Sequence, residues 1–283
     1  MPLCSGIEII GPIAFLLLFE PLGEADKQSP EPLPAAHAHN DYEHRRPLLD
    51  ALDHGFTSVE ADVHLVEGKL LVGHDRADLQ PGRTLEALYL EPLLQRARLN
   101  GGRIYRGGPE LTLLIDIKAD GEAVYKALKP VFEKYSEILS VVRDGKLEVK
   151  AVRIVLSGDR PIGTVSREST RFAAIDGRSE DLVSKDPAHL LPLISESWGR
   201  LFEWKGEGPI PEKEREKLRG IVKDAHASGR RVRFWATPDK EAVWKELSHA
   251  GVDLINTDDL KGLQAFLLAR RKADGANAAP RSP

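Results

Sequence analysis

The chain has a single cysteine, Cys4, near its start, so the body of the protein can form no disulfide and carry out no thiol chemistry. No basic block is present. Lys and Arg number 40 against 44 Asp and Glu, interspersed, with a net charge of −4, which excludes a surface dominated by nucleic-acid phosphate contacts. The apolar run at residues 9–19 is too short for a membrane-spanning helix. No GxGxxG or GxxxxGK follows a strand-like run, which removes the usual reason to expect a nucleotide-binding fold. A monomer with no nucleic-acid partner and no stable membrane span is expected.

The run at residues 9–19 does suit the core of a secretory signal, with the small residues Gly23 and Ala25 marking a cleavage region. No Lys or Arg precedes it and Glu8 interrupts its front. Residues 1–28 are read as a signal peptide and linker, and a secreted or periplasmic location is expected. Residues 274–283 are small, polar and Pro-bearing, as a frayed tail would be. Between them, residues 33–273 form one domain of a size typical of α/β barrels.

Within this domain, strand-like and helix-like runs alternate. Strands are expected at residues 35–39, 57–63, 111–118, 152–156, 172–176, 191–195, 231–236 and 252–257. LTLLIDIK, residues 111–118, is nearly all apolar, as a parallel strand covered on both faces must be. Helical patterns lie between the strands, clearest at residues 84–100, 121–139, 211–228, 239–250 and 259–272, with Thr84 as a cap and Pro92 as an interruption. Eight strands alternating with helices is the number that closes a (β/α)8 TIM barrel.

The stretch TSVEADVHLVEGKLLVGHD, residues 57–75, organises the rest. Side chains two apart on a strand share a face, so Glu60 and Asp62 project together. A hairpin at residues 67–69 then leads to His74-Asp75. Two carboxylates this close are favourable when a hard divalent cation, Mg2+ or Ca2+, sits between them. In a barrel the active site lies at the C-terminal strand ends, and there this chain places His39-Asn40, Glu60, Asp62, His74-Asp75, Asp116, Lys118, Trp235, Asn256 and Asp258. Charged groups on otherwise apolar strands need a partner or a metal, because burying them alone costs several kcal/mol.

The motifs HNDY at His39, VEADV at 59–63, GHD at 73–75, LLIDIK, RFWATP and AGVDLINTDDL together resemble the glycerophosphodiester phosphodiesterase and phospholipase C-like superfamily of barrels. HAHNDYEH is closest to the branch named for altered inheritance of mitochondria, and DIK resembles the sphingomyelinase D-like members. The resemblance implies a metal-dependent phosphoric diester hydrolase acting on a glycerophosphodiester or phospholipid-like substrate. It implies His39 and His74 as catalytic histidines, and Glu60, Asp62 and Asp116 as ligands of one divalent cation, Mg2+ or Ca2+. It further implies Lys118 facing the phosphate and Trp235 walling the pocket. Asn40 stands where the family's usual arginine follows the first histidine, and little chain separates His74-Asp75 from the next helix. Phosphate neutralisation should therefore fall to Lys118 and the metal, beside an open mouth.

Other residues carry weaker expectations. His37 shares the parity of His39, but a buried, hydrogen-bonded histidine is the simpler reading. Asp75 is expected to fix the backbone or orient His74, and His64 is given no role. Trp198 and Trp204 form either a lid or a packed loop. Two other functions compete: a non-catalytic barrel that binds a phosphorylated ligand or lipid headgroup, motivated by Asn40, and a glycosidase, whose carboxylates would face each other across a sugar from separate strands.

Overall fold

The computed structural model describes residues 30–278, with side chains through residue 274. The expected signal segment and Cys4 lie outside the described residues. The strands in chain order are β1 (Leu33–Ala38), β2 (Phe56–Val66), β3 (Lys69–Val72), β4 (Leu111–Ile117), β5 (Val141–Arg143) and β6 (Lys146–Glu148). They continue with β7 (Val152–Gly158), β8 (Thr170–Arg171), β9 (Ala173–Gly177), β10 (Leu193–Ser197), β11 (Arg231–Trp235) and β12 (Leu254–Thr257).

Eight of these are parallel and pair in the order β1-β12-β11-β10-β9-β7-β4-β2, and β1 also pairs with β2, so the ring is closed. This is the (β/α)8 barrel expected from the alternation. Each of the eight anticipated strands is present, with its ends displaced by at most three residues. β3 turns back antiparallel on β2 through Glu67-Gly68, the expected hairpin. The small antiparallel sheet β6-β5-β8 was not foreseen, because two- and three-residue strands carry no periodicity.

The helices are α1 (Leu49–Asp53), α2 (Glu91–Leu99), α3 (Gly121–Lys134), α4 (Ile162–Arg167), α5 (Trp198–Leu201), α6 (Glu212–Ala227), α7 (Glu241–Ala250) and α8 (Leu260–Ala278). Thr84 caps as expected, its Oγ1 accepting from the Ala87 N–H at 3.1 Å. Pro92 does not interrupt α2. It sits in the first turn, where its missing N–H is not needed, and a π-helical turn at Glu86–Leu90 leads into it. α8 runs five residues beyond position 273, where a tail was expected to begin. No helix among the described residues is long and apolar enough to cross a membrane.

Strand parity divides the side chains. Val59, Ala61 and Val63 of β2, Leu113, Ile115 and Ile117 of β4, and Ile154 and Leu156 of β7 are buried in the main apolar cluster with the helices. Each Val, Leu or Ile among them contributes about 1.5–3 kcal/mol on burial. The opposite parity faces the barrel axis, where Leu114, Leu193 and Leu254 form a separate apolar cluster. Two residues further along each of these strands stand Asp116, Ser195 and Asn256, so polar groups begin where that plug ends.

Candidate active site

A cavity of about 330 Å3 opens at the C-terminal ends of the barrel strands. His39, Asn40, Glu60, Asp62, His74, Asp116, Lys118 and Trp235 all line it, whereas Asp75, Asn256 and Asp258, also placed at the strand ends by the sequence, are not among its lining residues. Register explains the convergence. Asp62 on β2 pairs across to Asp116 on β4, which pairs to Ser157 on β7, forming one polar layer at the mouth. Gly158 closes this layer with φ +68°, and a Cβ there would strike the Ile117 carbonyl at 2.3 Å and Asp116 Oδ1 at 2.9 Å. A second cavity, about 530 Å3, opens among strand starts such as Ala35, Thr112 and Leu193, away from these groups.

Glu60, 6% exposed, lies one inward position deeper than Asp62. Its Oε2 accepts from the Arg233 guanidinium and lies 3.1 Å from His37 Nε2, while Arg233 Nε donates to Asn256 Oδ1 at 3.0 Å. Burial opposes the Glu60 charge, but Arg233 and the His37 hydrogen bond outweigh it and hold the carboxyl well below the usual range. His37 is fully buried, and its Nδ1 meets Ser58 Oγ at 2.7 Å. Burial first, and the Arg233 charge second, push its pKa down to about 3, so it is a neutral hydrogen-bonding group, as the simpler reading held.

Asp62, 1% exposed, is the hub of the mouth. Its Oδ2 lies 2.8 Å from the Tyr42 hydroxyl, 2.9 Å from Lys118 Nζ and 3.0 Å from His74 Nδ1. His74 is thus oriented by Asp62, and its backbone carbonyl accepts from His64 Nε2 at 3.1 Å. These two residues do what was expected of Asp75, which makes no side-chain capping hydrogen bond. His39 is held in the same manner, its Nδ1 donating to Asp258 Oδ1 at 2.9 Å. Burial lowers the His39 pKa, but the Asp258 bond and the Glu60 and Asp258 charges outweigh it, and the net direction is upward. Each imidazole therefore has Nδ1 fixed by a carboxylate, which leaves Nε2 as the nitrogen for proton transfer.

Asn40 has a left-handed backbone, φ 45° and ψ 37°, which Asn tolerates better than most residues. Its Oδ1 is 2.9 Å from the Tyr42 hydroxyl, so half of its amide is already engaged by the protein. Tyr42 was not anticipated. Burial first, and the Asp62 charge second, raise its phenol pKa, which keeps it a hydrogen-bond donor. Arg233 was also missed, although a signal existed: it lies two residues before Trp235 on an apolar strand and so shares its inward face. Arg178, after β9, lines the cavity too. It follows a strand with no motif, and nothing in the local pattern marks it. Trp198 and Trp204 prove to be a packed loop, with Trp198 stacked on Phe202 at 4.1 Å and both indoles buried.

The three carboxylates expected to share a cation are adjacent but not free. Lys118 Nζ bridges Asp62 and Asp116 at 2.9 and 3.2 Å, and Arg233 takes Glu60. Among the described residues no group of three or more His, Cys, Asp or Glu side chains is arranged to hold a metal ion. The donor chemistry nonetheless fits a hard divalent cation. Asp62 Oδ1 is buried without a hydrogen-bond partner. Burial, then the Glu60 and Asp62 charges, raise the Asp116 pKa, so this cluster is short of positive charge even with Lys118 in place. Lys118 itself is lowered by burial but raised further by Asp62 and Asp116, and remains a cation.

Residues 29–175 match the AIM6-like phosphodiesterase domain, and residues 231–261 match the glycerophosphoryl diester phosphodiesterase family. The chain is 34% identical to altered inheritance of mitochondria protein 6 of Eremothecium gossypii, over 83% of this chain and 69% of that protein. It is 30% identical to the altered inheritance of mitochondria protein 6 homolog of Arthroderma benhamiae, over 83% of this chain and 84% of that protein. Among solved structures, a glycerophosphodiester phosphodiesterase from Agrobacterium tumefaciens superposes with a TM-score of 0.51 at 16% identity, covering 83% of this chain and 99% of that one, a likeness of fold.

Proposed function

Because the chain belongs to the AIM6-like phosphodiesterase family, we propose that it is a metal-dependent phosphoric diester hydrolase acting on a glycerophosphodiester or phospholipid-like substrate, with His39 and His74 as its acid/base pair. The observation that carries this reading is the paired arrangement of the histidines. Both Nδ1 atoms are held by carboxylates at the rim of one cavity that also holds Glu60, Asp62, Asp116 and Lys118.

A phosphodiester is an anion, and its non-bridging oxygens gain charge as a fifth oxygen approaches phosphorus. Lys118, 23% exposed and lining the same cavity as both histidines, is a cation placed to draw that charge off. A divalent cation held by Glu60, Asp62 and Asp116, once Lys118 yields its position between the two aspartates, would supply further charge stabilisation. One imidazole Nε2 takes the proton of the attacking hydroxyl and the other gives a proton to the departing alkoxide. Asp62 and Asp258 steady the imidazolium that forms on each side. Among the described residues no Ser, Thr or Cys is bonded to either histidine, which supports a nucleophile drawn from solvent or substrate. A hydroxyl next to the ester reaches phosphorus more readily than water does, and such substrates should pass through a cyclic phosphate.

The competing reading is a non-catalytic binder, favoured by the prior engagement of Asn40, Glu60 and Lys118 by protein partners. Assaying the purified protein on a generic aryl phosphodiester, after chelation and then with Mg2+ or Ca2+ restored, separates the two. Chelation should abolish turnover and one ion restore it, while Glu60→Gln, Asp62→Asn and Asp116→Asn should each weaken calorimetric metal binding. Absence of turnover with either ion, together with unchanged metal affinity in all three variants, refutes the reading. Export from the cytoplasm and a monomeric state remain part of the proposal, the former supported by the apolar run at residues 9–19.

A further inference from the structure

One wall of the cavity is built from Arg178, following β9, and Trp235, ending β11. In the ring order, β9 lies opposite β1 and β11 lies opposite β4. Arg178 thus stands across the cavity from the His39 strand and Trp235 across from the strand that leads to Lys118, so a phosphodiester centred between His39, His74 and Lys118 would have this wall within reach of one ester arm.

The Arg178 guanidinium lies over the Trp235 indole, its Cζ 5.0 Å from the ring centroid. Trp is the best aromatic partner for a cation, and here the protein's own arginine takes that position. Behind it, Asp176 is fully buried and meets Arg178 Nη1 at 2.9 Å, so the negative charge sits away from the cavity. Nη1 is further used by the Asp176 and Gly177 carbonyls, and Nη2 reaches Ser157 Oγ at 3.2 Å. Among the described residues, Nε–H and the second Nη2 hydrogen have no protein partner. These two donors form one edge of the guanidinium, the side-on fork that matches a carboxylate or phosphate.

Resting on the phosphodiesterase reading above, we infer that the substrate's arm beyond the phosphodiester carries an anionic group, a carboxylate or phosphomonoester, that docks on the free edge of Arg178, and that quaternary ammonium headgroups are disfavoured. A trimethylammonium would meet an indole face already covered by a guanidinium and would add a like charge beside it. An anionic arm leaves the stack in place and supplies the acceptors that edge lacks.

Three methyl phosphodiesters that differ only in the second arm, choline, ethanol or glycolic acid, serve as probes. Their binding is titrated calorimetrically with Mg2+ present on the His39→Ala variant, which separates binding from turnover. The glycolate arm should bind about tenfold or more tightly than the choline arm, the ratio expected of one charge-assisted bidentate contact. Adding Arg178→Met should remove that ratio, and Arg178→Lys should restore part of it. Because Arg178→Met strands the buried Asp176, the pair Arg178→Met and Asp176→Asn is run in parallel. Choline binding as tightly as glycolate, or equal weakening of all three arms by Arg178→Met, overturns the inference. Binding of the three diesters with the expected preference, but no turnover by the unmodified protein, supports the docking site and refutes the enzymatic reading. Failure of all three to bind overturns both.

Discussion

Replacing Arg233 by Met should destabilise the barrel in a pH-dependent manner. Arg233 is 2% exposed and is the cationic partner of Glu60. Without it Glu60 keeps only His37, whose pKa burial, the larger of its two lowering causes, still holds down, so that it offers a hydrogen bond rather than a compensating charge. Removing one partner of a buried ion pair typically costs about 3–5 kcal/mol. For a domain of this size each kcal/mol shifts Tm by about 2–4 °C, so the fall should be about 6–20 °C. The sign follows from linkage. In the unmodified protein Glu60 has a depressed pKa, so its contribution is present above the unfolded carboxyl value and lost as pH falls. In the variant the largest charge opposing burial is gone and only the weaker histidine contacts remain, so the Glu60 pKa moves up, the carboxyl is better tolerated protonated and the deficit grows as pH rises above the unfolded value. Denaturant unfolding at about pH 5 and pH 8 should therefore give the larger loss at the higher pH. The double variant Arg233→Met with Glu60→Gln should recover most of it, since a buried pair replaced on both sides is often near neutral. A loss under about 1 kcal/mol at pH 8, or one that does not change with pH, would refute the view that Arg233 compensates Glu60.

Three further outcomes are expected. His39→Ala and His74→Ala should each lower turnover by about two to four orders of magnitude, the range for one positioned acid or base, with circular dichroism unchanged; full activity in either variant removes that residue from the pair. Asp258→Asn should shift one limb of the pH-rate profile to lower pH, because the Asp258 contact raises the His39 pKa; a profile that stays in place shows that Asp258 does not tune His39. Asp41 is fully buried, with Oδ1 unpartnered, and burial raises its pKa to about 7. Its proton is therefore bound in the folded state through a range where the unfolded chain has lost it, so stability should fall by up to about 2–4 kcal/mol as pH rises from about 4 to 7. Asp41→Asn should remove that slope in denaturant titrations, and an unchanged slope means that Asp41 is not its source.

Much of the architecture is already determined by residue order. Apolar runs of strand length alternating with amphipathic helices admit few topologies once eight of them are present, and inward parity places Glu60 with Asp62 and Arg233 with Trp235 before any coordinate is known. Motif spacing likewise brings His39, His74, Asp116 and Lys118 to the strand ends. What only the closed barrel decides is which charge answers which. Glu60 and Arg233 are 173 positions apart and His39 and Asp258 are 219 apart, and these partners meet because β1 closes against both β2 and β12. The local pattern says that a buried charge needs compensation without naming its source. It could not show that Asp62 rather than Asp75 orients His74, that Lys118 stands between the two aspartates, or that Arg178 covers Trp235. Those are contacts across space, set by strand register and ring closure, and neighbouring residues in the chain carry no record of them.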